Sequence, residues 1–214
     1  MNIKTSLTFT FIALLLTVTF SCKKENTFNN YEYADQPETI TCEGINTPLL
    51  KEALYSFEKD IFMYYKKNRP KNRLNQAYNR FLRDFSSNRL KYKEIVRPHT
   101  LEVFEALKKE KGLWDANNPV SHLNYNSNLI TCIGDNIKDE ALKTTFNALL
   151  ETNSLTPKLY SAAASSKYRS ALNDKYLASY IAFDLYYAKL FDVDLSRVNK
   201  KTPNEPVDFN QIPE

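Results

Sequence analysis

The chain has 214 residues, 43 % hydrophobic and 13 % aromatic, enough apolar material for one proper core and too much for wholesale disorder. A formal charge of +4 demands no polyanionic partner. Only three glycines occur (Gly44, Gly112 and Gly134), which excludes the phosphate-cradling loops of nucleotide enzymes and disfavours a many-stranded sandwich.

Lys4 is followed by an uncharged, mostly apolar run from Leu7 to Phe20, 14 residues long. A spanning helix needs about 20 apolar residues and a secretory signal core about 7–15, so residues 1–21 read as a cleaved signal peptide; an uncleaved membrane anchor is the alternative. Charge arrives at once after Cys22, with Lys23, Lys24 and Glu25.

Thr19-Phe20-Ser21-Cys22 resembles the lipobox of bacterial lipoproteins, in which a small residue precedes a cysteine that receives a diacylglyceryl group and becomes the first residue of the mature chain. Ser21 matches that pattern, whereas Thr19 and Phe20 depart from it, and the resemblance covers only residues 1–22. It implies lipid on Cys22. With Lys23, not aspartate, in the next position, it also implies the outer membrane, with the periplasmic face favoured over the cell surface. Thr19-x-Ser21 also satisfies the small-x-small rule of the ordinary signal peptidase, which predicts the same cut without lipid. If Cys22 carries lipid, Cys42 and Cys132 remain as a pair in an oxidising compartment. A bridge between them would close a loop of 90 positions, worth roughly 4–5 kcal/mol in the chain-entropy account. Two buried thiols are the alternative. With only His99 and His122 elsewhere and no CxxC spacing, no metal site is expected.

Residues 22–46 are polar, contain Pro37 and lack a helical period, and read as a flexible tether. Thr47 as cap and Pro48 at the first helical position open a helix whose stripe is Leu50, Ala53, Leu54, Phe57, Ile61 and Tyr64 or Tyr65. Pro70 stops it. A second helix carries Leu74, Ala77, Tyr78, Phe81, Leu82 and Phe85. Its "AYNRFLRDF" matches "ALYSFEKDI" of the first at a 24-residue offset, which suggests a repeated helix hairpin. Pro98 opens a third helix, ended by lysines and Gly112. Residues 113–128 read as loop, 135–151 as a helix, and Pro157 as the start of a short one. The final helix, from about 172 to 191, is apolar nearly all round and belongs at the centre of a bundle. Residues 197–214, with Pro203, Pro206 and Pro213, read as a disordered tail. The expected fold is all-α, an irregular bundle of five to seven helices over residues 47–196.

Several residues invite chemistry. Asp184, inside the apolar final helix, would have a raised pKa suited to acid–base work, although such residues more often face a gap or pair with a lysine or arginine. Ser121-His122 lacks the surroundings of a nucleophile and base. Asp115, Asn117 and Asn118 read as a turn, because the later ligands of a calcium loop are missing. Tyr176, Tyr180 and Tyr187, at helical spacing, read as core before a sugar-stacking groove.

The charge is uneven. From Lys66 to Arg97 eleven basic residues face two acidic ones, a local +9 that leaves −5 for the remainder. Lys66, Lys67, Arg69, Lys71 and Arg73 crowd one helix–helix turn, and are either an ordinary solvated surface or a contact for an anionic partner. The expected function is a non-enzymatic, lipid-anchored envelope protein that binds or scaffolds another envelope protein or an anionic lipid or glycolipid. No cofactor and no nucleic acid are expected. The alternative is an envelope-associated enzyme, such as a hydrolase, whose site is assembled from residues distant in sequence.

Overall fold

The computed structural model describes residues 28–67, 70–196 and 198. The segment expected to be a signal at 1–21, Cys22, Arg69 and the expected tail from 197 onward, apart from Val198, lie outside the described residues.

Among the described residues the protein is all-α, with no strand and one isolated antiparallel bridge, Trp114 to Leu123. In order come α1 (Thr47–Lys66), α2 (Leu74–Ser86), α3 (Tyr92–Ile95), α4 (Pro98–Leu107), α5 (Asn128–Asn136), α6 (Glu140–Glu151), α7 (Pro157–Ser165) and a 3-10 turn (Tyr168–Leu172). The final helix begins as α8 (Lys175–Tyr180), widens into a π-helix over Ile181–Tyr187 and closes as α9 (Ala188–Leu190).

The final helix is central, as its apolar circumference predicts: every residue from Ile181 to Ala188 is fully buried. It shares the centre with α1, which packs on α2 and α4. Thirteen of the 20 residues of α1 are buried, including Lys51, Glu52, Glu58 and Asp60 on sides the hydrophobic stripe leaves to solvent. The side chain that caps α1 is Asn46, which accepts the Leu49 N–H, and Thr47 is already helical. α1 and α2 lie side by side as a hairpin, with the matched Phe57 and Phe81 rings 5.1 Å apart, edge to face. The expected helix at 135–151 is interrupted. α5 ends at Asn136, and Asp139 caps α6 by accepting the Leu142 N–H.

The second half of the expected tether is part of the domain. Residues 28–46 have no helical period because they cross α1 as irregular chain broken by turns, with Ile40 and Cys42 buried. Lys51 Nζ donates to Ala34 O and Gln36 O and pairs with Glu38, while the Tyr55 hydroxyl donates to Pro37 O. Cys42 and Cys132, 90 positions apart, are bonded, which fastens this segment to α5. The order of residues 28–46 thus comes from partners that only the folded helices supply.

Candidate functional site

The basic turn first. Lys67, Lys71 and Arg73 are exposed where α1 hands over to α2, and Lys66 lies 5.3 Å from the centre of the Phe62 ring. Arg80 and Arg83 follow Arg73 at helical spacing, opposite the buried Leu74, Ala77, Tyr78, Phe81 and Leu82. None of Lys67, Lys71, Arg73, Arg80 and Arg83 forms an ion pair with another described residue. The later cations of the stretch do have partners: Arg89 with Asp84 at 3.3 Å, Lys91 with Glu94 at 3.2 Å, Lys93 with Asp194 at 3.8 Å, and Arg97 near Asp60 at 4.0 Å. The local excess of charge therefore concentrates on the solvent side of α2. At the C-terminal end of that helix lies a groove of about 550 Å³, within the range of ligand sites. Phe85, Leu90, Tyr92, Val120 and Pro157 line it together with Lys158 and Lys189, and no acidic side chain does.

A second constellation was not legible in the sequence. Glu52, Ser56 and Asp60 recur every fourth residue on one side of α1 and are at most 1 % exposed. Glu52 accepts the backbone N–H of Glu32 at 2.7 Å, that of Tyr33 at 3.0 Å, and His99 Nε2–H at 2.6 Å. The other ring nitrogen, Nδ1, stands 3.5 Å from Glu32 Oε1, so the imidazole lies between two carboxylates. Asp60 Oδ2 accepts the Tyr186 hydroxyl at 2.5 Å and the Arg97 N–H at 3.3 Å, whereas Oδ1 has no hydrogen-bond partner. Burial pushes the Asp60 carboxyl up to about 7, with Tyr186, Thr100 and Arg97 offsetting part of the rise. At neutral pH such a group can both give and take a proton. Ser56, Asp60, Arg97, His99, Glu32 and Glu102 are among the residues that surround a cavity of about 160 Å³.

Nearby on α1, Glu58 is fully buried. Its Oε1 accepts from the Tyr78 hydroxyl at 2.8 Å and Lys175 Nζ at 3.2 Å. Burial raises its pKa, and Lys175 and Tyr78 oppose the rise.

Asp184 finds neither of its expected partners. Three hydroxyls surround it: Ser121 Oγ at 2.5 Å and Tyr180 at 2.6 Å, with Tyr125 reaching its two oxygens at 3.0 and 3.2 Å. Burial raises its pKa, and these three donors oppose the rise. The arrangement ties the 113–124 loop to the π-helix, a structural use of a buried carboxylate. Ser121 and His122 diverge, the latter bonding Asp192 at 2.9 Å. Asp115 Oδ1 accepts the Asn117 N–H within a turn. Tyr180 and Tyr187 are core residues, the latter donating to Ala53 O. Among the described residues no group of three or more potential ligands could hold a metal ion, and no helix is long and apolar enough to cross a membrane.

The chain matches no protein family, no curated protein and no solved structure.

Proposed function

We propose that this is a lipid-anchored protein of the bacterial envelope, held to the periplasmic face of the outer membrane through Cys22, whose helical domain binds an anionic envelope component or the acidic face of another envelope protein. One observation carries the binding half of the reading: Lys67, Lys71, Arg73, Arg80 and Arg83 stand together without carboxylate partners among the described residues. Cations that lack internal partners remain available to external phosphates or carboxylates, and clustering makes their attraction additive over a Debye length of about 8–10 Å. Arg69 and Cys22 enter this reading through the sequence alone.

The test is co-sedimentation of the domain with vesicles containing anionic lipid, against neutral vesicles, over a salt series. Replacing Lys67, Lys71, Arg73 and Arg83 with glutamine should weaken binding by up to about a thousandfold and flatten its salt dependence, at about 1 kcal/mol per cation near the surface. Unchanged salt-dependent binding to lipid and to envelope extract would overturn the reading. Mass spectrometry of the mature N-terminal peptide tests the anchor, since an unmodified thiol on Cys22 would remove it.

The alternative, an envelope-associated hydrolase, is favoured by the pairing of His99 with Glu52 beside Asp60. Its weakness is size: about 160 Å³ is below the usual 300–1,000 Å³ of ligand sites.

A further inference from the structure

We propose that the groove at the C-terminal end of α2 binds a single-chain alkyl carboxylate, with the chain against its apolar walls and the head beside Lys158 and Lys189. The site shares the sign of its charge with the cationic side of α2 and none of its residues, so either can fail alone.

The walls come from five stretches of chain. Phe85 lies in the last turn of α2, Leu90 follows that helix, Tyr92 begins α3, Val120 comes from the loop before α5, and Pro157 begins α7. The Tyr92 hydroxyl donates to Leu185 O at 2.8 Å, which fixes its ring against the π-helix. Among the described residues three large hydrophobic side chains are exposed, and two belong here. Val120, 40 % exposed, lines the groove, and Leu159, 51 % exposed, follows Lys158. Exposed apolar side chains are ordinary when scattered; gathered at an apolar groove they mark surface that an apolar ligand would cover.

Charge selects the head. Lys158 Nζ has no ion pair among the described residues. Lys189 donates one long bond, to Val120 O at 3.5 Å, and its charge opposes the rise of the Asp184 pKa from beyond ion-pair distance. The hydroxyls of the rim are engaged elsewhere: Ser86 donates to Leu82 O, and Thr156 Oγ1 accepts the Leu159 N–H as the cap of α7. No acidic side chain lines the groove, and the N-terminus of α7 brings its partial positive charge to the same rim. With Lys189 partly committed to Asp184, about one positive charge is free, which matches a monoanion and rejects a cation.

Size sets the tail. A volume of 550 Å³ equals that of about 18 waters, room for one chain of about ten carbons with its head. The paired chains of a phospholipid do not fit.

The test is NMR titration of the isotopically labelled chain from residue 22 onward with sodium decanoate below its micellar concentration. Sodium octanoate, sodium acetate and decyltrimethylammonium chloride are the comparisons. The expected result is saturable shifts at Tyr92, Val120, Lys158 and Lys189, with no response to acetate or to the ammonium amphiphile. Decanoate should bind about tenfold more tightly than octanoate, as two further buried methylenes provide. Lys158→Gln with Lys189→Gln should weaken decanoate about tenfold. Val120→Asp, at an exposed position where the fold tolerates it, should weaken decanoate at least as much by setting carboxylate against carboxylate. Lys67→Gln with Lys71→Gln should leave decanoate binding unchanged. Absence of saturable shifts, equal affinity for octanoate and decanoate, equal binding of decyltrimethylammonium, or wild-type affinity in both groove variants would overturn the proposal. Groove shifts on removal of residues 199–214, without any response to decanoate, would also overturn it and give the groove to the chain's own C-terminal segment.

Discussion

Tyr186 donates its hydroxyl to Asp60 Oδ2 at 2.5 Å, across 126 positions of sequence, and so joins the π-helix to the middle of α1 inside the core. Without that donor the carboxylate would keep the Arg97 N–H at 3.3 Å and the neighbouring Thr100 hydroxyl. Tyr186→Phe is therefore expected to cost about 1–3 kcal/mol in urea unfolding, and to move the Asp60 carboxyl further upward by NMR titration. A downward movement would contradict the assignment.

Stability should fall as pH rises from about 4 to about 7. Asp60 has its folded-state pKa near 7, against an ordinary value of 3.8, and Glu58 and Asp184 are raised in the same direction. Between those limits the folded chain holds protons that the unfolded chain has lost, so unfolding becomes easier with each step in pH. The Asp60 contribution is fully present below pH 3.8 and gone above about 7, on the order of 4 kcal/mol for about three pH units. Denaturant midpoints across that window check it, and Asp60→Asn should flatten the slope. A rise in stability across the window would refute the assignment.

Asp184 should be far more sensitive to truncation than to amidation. Asp184→Ala strips acceptors from Ser121, Tyr125 and Tyr180 together, and is expected to cost about 3–5 kcal/mol because several buried donors are stranded. Asp184→Asn keeps the shape and one acceptor oxygen and should cost less. Equal losses in thermal unfolding would show that packing, not hydrogen bonding, sets the value.

The Cys42–Cys132 bond should resist alkylation until reduced. Replacing both residues with serine is expected to lower stability by up to about 4–5 kcal/mol, the chain-entropy value for a loop of this length. Hydrogen exchange should then quicken over residues 28–46 first, since that segment borrows its order from α1 and α5.

Gly134 has no room for a side chain. An added Cβ would strike Asn147 Oδ1 and come within 3.0 Å of the buried Phe146 ring, while Asn147 Nδ2 already donates to Gly134 O. Gly134→Ala is expected to cost about 1–3 kcal/mol by overpacking α5 against α6. Gly112→Ala meets no neighbour within 4 Å, and its penalty comes instead from a φ of +74°.

Local pattern made the helices readable. Pro98 and Pro157 start α4 and α7 where their missing N–H costs nothing, and Leu74 to Leu82 carry a period that names the buried side of α2. α5 escaped because its sequence, "NLITCIGDN", is short, mixes β-branched residues with glycine, and depends on Ser127 as its cap. Residues 28–46 escaped for a different reason: an irregular segment has no period to detect when its partners are side chains of a distant helix.

The sequence by itself determined the all-α class, the central place of the final helix, the concentration of positive charge near α2, and the pair of cysteines available for bonding. Each of these rests on composition or on spacing within one element. Only the tertiary structure decided that Glu52 meets His99, that Asp60 meets Tyr186, and that Asp184 is held by three hydroxyls. A carboxylate on a helix reads as solvent-facing until its neighbours are known. On α1, buried on nearly every side, the polar residues follow the same four-residue spacing as the apolar stripe, and what they do is fixed by the chains packed over them.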